Sequence, residues 1–243
     1  MINCIISEHM KFKRTFIKKI DFAVPIILLL ISAVINEGHF IQSGSYSYWY
    51  TIIFPCILAL ICGEIVNKDL KKMKYRVIMS MPLDPAKSWI SKIIVAIWFS
   101  FTACAIFFIA TTIGGIIYGP QFSILTSIEA SFVIFLTTLW QIPLNLFLTD
   151  KFGNIITLIF NLVCTSFIGV LLAVKSIWLI FPYDITSRLM CPIINVLPNA
   201  LPASAHDPLK NSAVMLPGIT ISIILFIIIS YLTALWFRKK EAR

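Results

Sequence analysis

The stretch NKDLKKMKYRVIMSMPLDPAKSW, residues 67–89, decides how the rest of the chain is read. It holds Lys68, Lys71, Lys72, Lys74, Arg76 and Lys87 against Asp69 and Asp84 alone. An apolar run ends before it near Val66, and another follows from Ile90 to Tyr118. A basic loop between two apolar runs of membrane-spanning length is placed on the cytoplasmic side by the positive-inside rule. Within the loop, Asn67 is placed to cap a short helix whose apolar side is Leu70, Met73 and Val77, at spacing i, i+3, i+7. Pro82 stops that helix, and Asp84-Pro85 reads as an N-cap followed by a first-turn proline that opens the next one. A short helix lying along a cytosolic loop suits docking to a soluble partner. A solvated loop that only sets topology is the plainer alternative.

Working outward, 59% of the 243 residues are hydrophobic and 13% are charged, whereas soluble domains sit at roughly 45–50% apolar. Several apolar runs approach or exceed the roughly 20 residues that cross a bilayer. The fold class is therefore an all-α polytopic membrane protein. The net charge of +9 calls for no nucleic acid, because cytosolic flanks of membrane proteins are basic and meet anionic lipid headgroups. Cys4, Cys56, Cys62, Cys104, Cys164 and Cys191 form no CxxC pair and read as small apolar packing residues. The basic start, with no A-x-A site after the first apolar run, reads as an anchor rather than a cleavable signal.

Residues 1–19 are predicted to form an amphipathic interface helix, with Ile2, Ile5, Ile6, Met10, Phe12, Phe16 and Ile17 on one side, broken by His9 and Lys13. Spans one and two lie within 20–66, separated by an outer loop, 37–50. That loop's Tyr46, Tyr48, Trp49 and Tyr50 resemble an interfacial aromatic belt. Residues 67–88 are the cytosolic loop. Spans three and four fill 89–148, with an outer turn at Gly119-Pro120; span five is 155–174 and span six 217–237. Glu64, at the close of span two, is expected beside Lys68. Asn145, Asn161, Thr165 and Ser166 are expected to make interhelical hydrogen bonds. Between spans five and six, 175–216 is apolar but broken by Pro182, Pro192, Pro198, Pro202 and Pro208, which suits short helices re-entering the outer leaflet. With both termini inside, only Lys175, Arg188 and Lys210 of the twenty Lys and Arg fall outside, which supports six spans.

No GxxxxGK[ST] and no HExxH occurs, and His9, His39 and His206 are scattered, so no catalytic triad or metal cluster assembles from the sequence. Glu129 is a carboxylate inside span four; it either lines a path through the bundle or is hydrogen-bonded near the outer interface. A transporter permease is the leading class. A membrane enzyme, or a structural or sensory membrane protein, is the alternative.

The segments SEHMKFKRT (7–15), WYTIIFP (49–55), SMPLDPAKSWISKI (80–93) and VLPNALP (196–202) resemble those of ABC-2 type permeases. More narrowly, they resemble the lantibiotic self-immunity permeases of Gram-positive bacteria. Ala200 departs from that pattern, standing where the family often has Gly after Pro-Asn. The resemblance implies a non-catalytic permease in the plasma membrane that binds no cofactor itself. It would pair with a second permease, a paralogue or a second copy, and with a dimer of separate P-loop ATPase subunits that carry ATP and Mg. The cargo would be a cationic antimicrobial peptide. By the same resemblance the interface helix and the stretch with Leu70, Lys71, Lys72, Met73, Lys74 and Val77 meet the ATPase. An amphipathic cationic peptide in the outer leaflet would first meet 37–50 and 175–216, which offer Trp49 as aromatic surface and Asp184 as a charge strengthened by partial burial; Glu129 joins them as a residue of the substrate path.

Overall fold

The computed structural model describes residues 2–12, 15–35, 40–73, 84–175, 177–204 and 206–240, with the backbone alone for 16–18 and 70–73. All regular secondary structure among the described residues is helical. In chain order the elements are α1 (Ile2–Met10), α2 (Phe16–Ile35), α3 (Ile41–Tyr48), a π-helical segment (Trp49–Ile53), α4 (Phe54–Met73), α5 (Pro85–Tyr118), α6 (Ile124–Thr138), α7 (Gln141–Phe152), α8 (Asn154–Leu162), a second π-helical segment (Val163–Gly169), the one-turn α9 (Val170–Leu172), α10 (Asp184–Ile194) and α11 (Met215–Arg238).

Four helical stretches are long and apolar enough to cross a membrane: Ile41–Asp69, Pro85–Tyr118, Asn154–Leu172 and Ser212–Arg238. A fifth is the pair α6 and α7, bent by 44°. α2 matches the expected first span in position but carries Lys18, Lys19 and Asp21 in its first two turns. The bend between α6 and α7 has a local cause. Pro143 has no N–H to offer the Leu139 carbonyl, so the ladder breaks there and a tighter bond from Ile142 N to that carbonyl (3.1 Å) takes over. Pro55 acts in the same way at the start of α4. The Thr51 carbonyl, to which Pro55 has no N–H to offer, accepts from Ser166 Oγ at 2.9 Å. Thr51 and Ser166 belong to the two π-helical segments, which therefore pack against each other.

α4 and α5 form the centre. α4 packs on α5, α7 and α8, and α5 also touches α1, α2, α3, α6 and α11. Small residues set the closest approaches, as in membrane bundles generally. A Cβ on Gly63 of α4 would lie 2.0 Å from Asn154 Oδ1 of α8. Asn161 Nδ2 donates to Asn145 Oδ1 at 2.7 Å and ties α8 to α7, while Thr165 bonds back to its own helix at the Asn161 carbonyl.

Three expectations need correction. Residues 41–50 are not a loop: α3 runs through the π-helical segment into α4, and Tyr46, Trp49 and Tyr50 are core residues rather than a belt. Tyr46 Oη donates to the Ser127 carbonyl (2.9 Å), and Gln42 Oε1 accepts from Gln121 N and Phe122 N, closing the turn between α5 and α6. Asn67 caps nothing, because α4 continues to Met73 with no Gly or Pro to stop it. The N-terminal interface helix ends at Met10 rather than near residue 19, and its apolar Ile2, Ile6 and Met10 are exposed while Glu8 is buried.

Candidate functional site

The basic end of the molecule is where α1, the close of α4, the start of α5 and the close of α11 converge. α5 begins as expected: Asp84 takes the N-cap, its Oδ1 accepting from Ala86 N at 3.0 Å, with Pro85 in the first turn. Trp89 stacks on Phe237 of α11 at 4.6 Å between ring centroids. Of the residues expected to meet a soluble partner, Leu70, Lys71, Lys72 and Met73 form the last turn of α4, and only their backbone is described. Lys74, Val77 and the rest of the expected short helix lie outside the described residues.

One residue before that turn sits a feature that sequence reading missed. Lys92 of α5 is fully buried, and its Nζ donates to Glu8 Oε1 of α1 at 3.2 Å and to Asp69 Oδ2 of α4. Lys11 Nζ donates to Glu8 Oε1 at 2.8 Å and to Asp69 Oδ1 at 3.0 Å. Two ammonium groups and two carboxylates thus share one site. Lys68, expected beside Glu64, reaches across to α1, where it donates to the Lys11 carbonyl and lies 4.2 Å over the Phe12 ring. Phe12 and His9 pack in turn on Phe99 of α5 at 5.8 and 5.6 Å. Burial works to lower the Lys11 pKa, but the hydrogen bond and charge of Glu8, with Asp69, hold it above its ordinary value. The signal in the sequence was present but ambiguous. Glu8, Asp69 and Lys92 are isolated charges in flanks that topology alone accounts for.

The residues expected along a substrate path are not brought together. Trp49 has no exposed surface; it stacks on Phe107 at 4.3 Å and on Phe54 at 5.2 Å. Glu129 is exposed on α6, facing away from the rest of the chain. Asp184 opens α10 and is wholly buried, with no hydrogen-bond partner for either carboxylate oxygen. Burial pushes its pKa up to about 7. Among the described residues no hydrogen bond or ion pair joins the three.

α10 itself is buried along nearly its whole length between α6 and α11. Thr186 and Thr137 share a hydrogen bond of 2.9 Å, and Gly218 lets Leu189 close on α11, since a Cβ there would lie 2.6 Å from Leu189 Cδ1. Tyr183, just before α10, packs edge-on against Trp140 at 4.7 Å. Arg188, four residues after Asp184, is also buried, and its Nε and Nη1 lack partners. The arrangement holds two residues of opposite formal charge on one buried helix.

No curated protein and no solved structure matches the chain. Residues 4–169, well over half of it, match the profile described as ABC-2 family transporter protein. The chain belongs to the ABC-2 transporter family, whose members are generally non-catalytic, multi-pass transmembrane components of transport systems, a membership that implies an ATPase partner.

Proposed function

We propose that this chain is the permease subunit of an ABC transporter that expels lantibiotic-type antimicrobial peptides from the plasma membrane of a Gram-positive bacterium, giving immunity or resistance. The observation that carries the reading is the ordered set of segments 7–15, 49–55, 80–93 and 196–202, three of them inside the family match. In this reading α2 completes a six-span bundle with both termini in the cytoplasm, supported by the basic flanks. α10 and its proline-broken neighbours form the re-entrant outer segment. Leu70, Lys71, Lys72, Met73, Lys74 and Val77 dock to the ATPase dimer, which binds ATP and Mg. A second permease completes the pathway. Asp184, Glu129 and Trp49 serve cargo: Asp184 as a counter-charge to a cationic peptide, Glu129 at the boundary with the second permease, and Trp49 as part of the wall that opens.

Co-purification with a P-loop ATPase, followed by ATP hydrolysis in lipid vesicles with and without a cationic lantibiotic, tests this. The expected result is peptide-stimulated hydrolysis. Changing Leu70 and Met73 together to Asp is expected to leave insertion intact and abolish the stimulation. Full peptide resistance in that double variant at normal expression removes the coupling assignment, and hydrolysis indifferent to peptide removes the cargo.

A further inference from the structure

The attachment of α1 is unusual for an amphipathic helix. Its large apolar residues Ile2, Ile6 and Met10 are exposed, and its one buried residue is Glu8. The helix is held to the bundle by that charge, by Ile5 against the core and His9 on Phe99, and by Phe12 just beyond its end. That charge is met by Lys92, which has no solvent access, and Lys92 also holds Asp69, the last residue before the 70–73 turn. Lys11 repeats both contacts from the other side. The four groups sum to zero charge, and the fully buried Lys92 has two carboxylate partners only while α1 and α4 both contribute.

We propose that Glu8, Lys11, Asp69 and Lys92 form a clasp that fixes α1 on α4 and α5 and sets the position of the turn that meets the ATPase. Lys92 is then a positioning residue for coupling. A buried ion network is a poor device for stability alone, because well-packed apolar side chains of similar volume often do as well or better. It is well suited to selecting one arrangement of three elements, since moving α1 or α4 away strips the buried Lys92 of a carboxylate partner. Asp69 and the 70–73 turn share one helix, so a displacement of that turn acts on Lys92 and Lys11, and through them on α1. Conversely, α1 lying in the membrane surface would hold the turn in place. The second half of the inference rests on the coupling role proposed above; the clasp itself does not.

Three variants separate a clasp from simple charge balance. Lys92→Met leaves one negative charge in excess. Lys92→Met with Asp69→Asn restores neutrality but cuts the links from α5 and weakens that from α4. Lys92→Arg keeps the charge. Hydrogen exchange of residues 2–12 in lipid nanodiscs reads the attachment of α1 and needs only this chain. Exchange is expected to rise at least about tenfold in Lys92→Met and in the neutral double variant, and to stay near wild type in Lys92→Arg. In the complex with the ATPase, the ratio of peptide-stimulated to basal hydrolysis should fall toward one in the double variant while the ATPase stays bound. Unchanged protection of α1 in the double variant overturns the clasp. Raised exchange with an undiminished stimulation ratio overturns its part in coupling. If wild-type protein brings down no ATPase, the transporter reading fails instead, and the exchange result still decides the clasp.

Discussion

The two ends of this bundle treat most of their buried charge in opposite ways; Asp21, in the second turn of α2, is an exception, buried with no hydrogen-bond partner for its carboxylate. At the basic end, Glu8 and Asp69 share Lys11 and Lys92, and Asp150, almost wholly buried, meets Lys240. Apart from Glu8 and Lys11, which are three residues apart, each pair joins elements far apart in sequence. At the other end, Asp184 and Arg188 are buried on the same helix, and both carboxylate oxygens of the one and Nε and Nη1 of the other lack hydrogen-bond partners. A charge buried with its partner restricts the elements that carry the pair to one arrangement. A charge buried alone favours any state in which it meets water or an opposite charge. The basic end is thus built to move as one body, and the α10 region is built to change. In the function proposed above, that division would place rigidity where the ATPase docks and compliance where cargo is handled.

The contrast breaks first at Lys240. Lys240→Met removes one charged hydrogen-bond partner of the buried Asp150 side chain, which should lower stability by about 2 kcal/mol. Arg238→Gln is the internal control. Arg238 is 62% exposed and stands 3.8 Å from Asp84, so its loss should cost less than about 0.5 kcal/mol. Denaturant titration in mixed micelles measures both. Equal effects would mean that the basic end is not organised around its buried pairs.

The α10 end should show itself through pH. Asp184 titrates at about 7 in the folded chain against an ordinary 3.8. Between those values the folded state holds a proton that an opened segment releases. Stability of the segment therefore falls as pH rises through that window, and levels off above 7. Cys191, buried on the same helix, reports opening through its labelling by a thiol reagent. The labelling rate of wild type relative to Asp184→Asn should rise about tenfold or more between pH 5 and 7.5. Using a ratio cancels the titration of the thiol itself. A flat ratio would place Asp184 with the paired charges and remove the contrast.

Much of the bundle was legible because apolar length and the local chemistry of breakers depend on few neighbours. Asp84-Pro85 opens α5 where the residues say it should, and Asn161 finds Asn145. What stayed hidden depends on distant partners. Tyr46, Trp49 and Tyr50 have the composition of a lipid-interface belt and of a core alike, and only the approach of Phe107 and Ser127 decides between them. Pro55 cannot donate a backbone hydrogen bond in any fold, but where the Thr51 carbonyl finds its donor, Ser166 Oγ across the bundle, is a tertiary matter. The clasp was the least legible of all. Glu8 and Lys92 are 84 residues apart, and in a basic flank a lysine that fixes topology looks the same as one that is buried.

The smallest expected effect tests the α10 end at its most local. After α10, the chain doubles back through VLPNALP: Val196 bridges Pro202, Leu197 N donates to the Leu201 carbonyl at 2.8 Å, and Ala200 N to the Leu197 carbonyl at 2.9 Å. The turn requires Ala200 to adopt φ 65°, the left-handed region. A Cβ there is crowded against the backbone at a cost on the order of 1 kcal/mol, which glycine avoids. Glycine returns part of that gain because the unfolded chain becomes more flexible. Ala200→Gly should therefore stabilise the fold by about 0.5 kcal/mol, although it removes a side chain. Ala200→Val should destabilise it by more than about 1 kcal/mol, since β-branching tolerates this region least. Opposite signs in the two variants, read in the same micelle titration, identify the turn as strained. Destabilisation by both would mean that the Ala200 methyl group contributes more through packing than its backbone conformation costs.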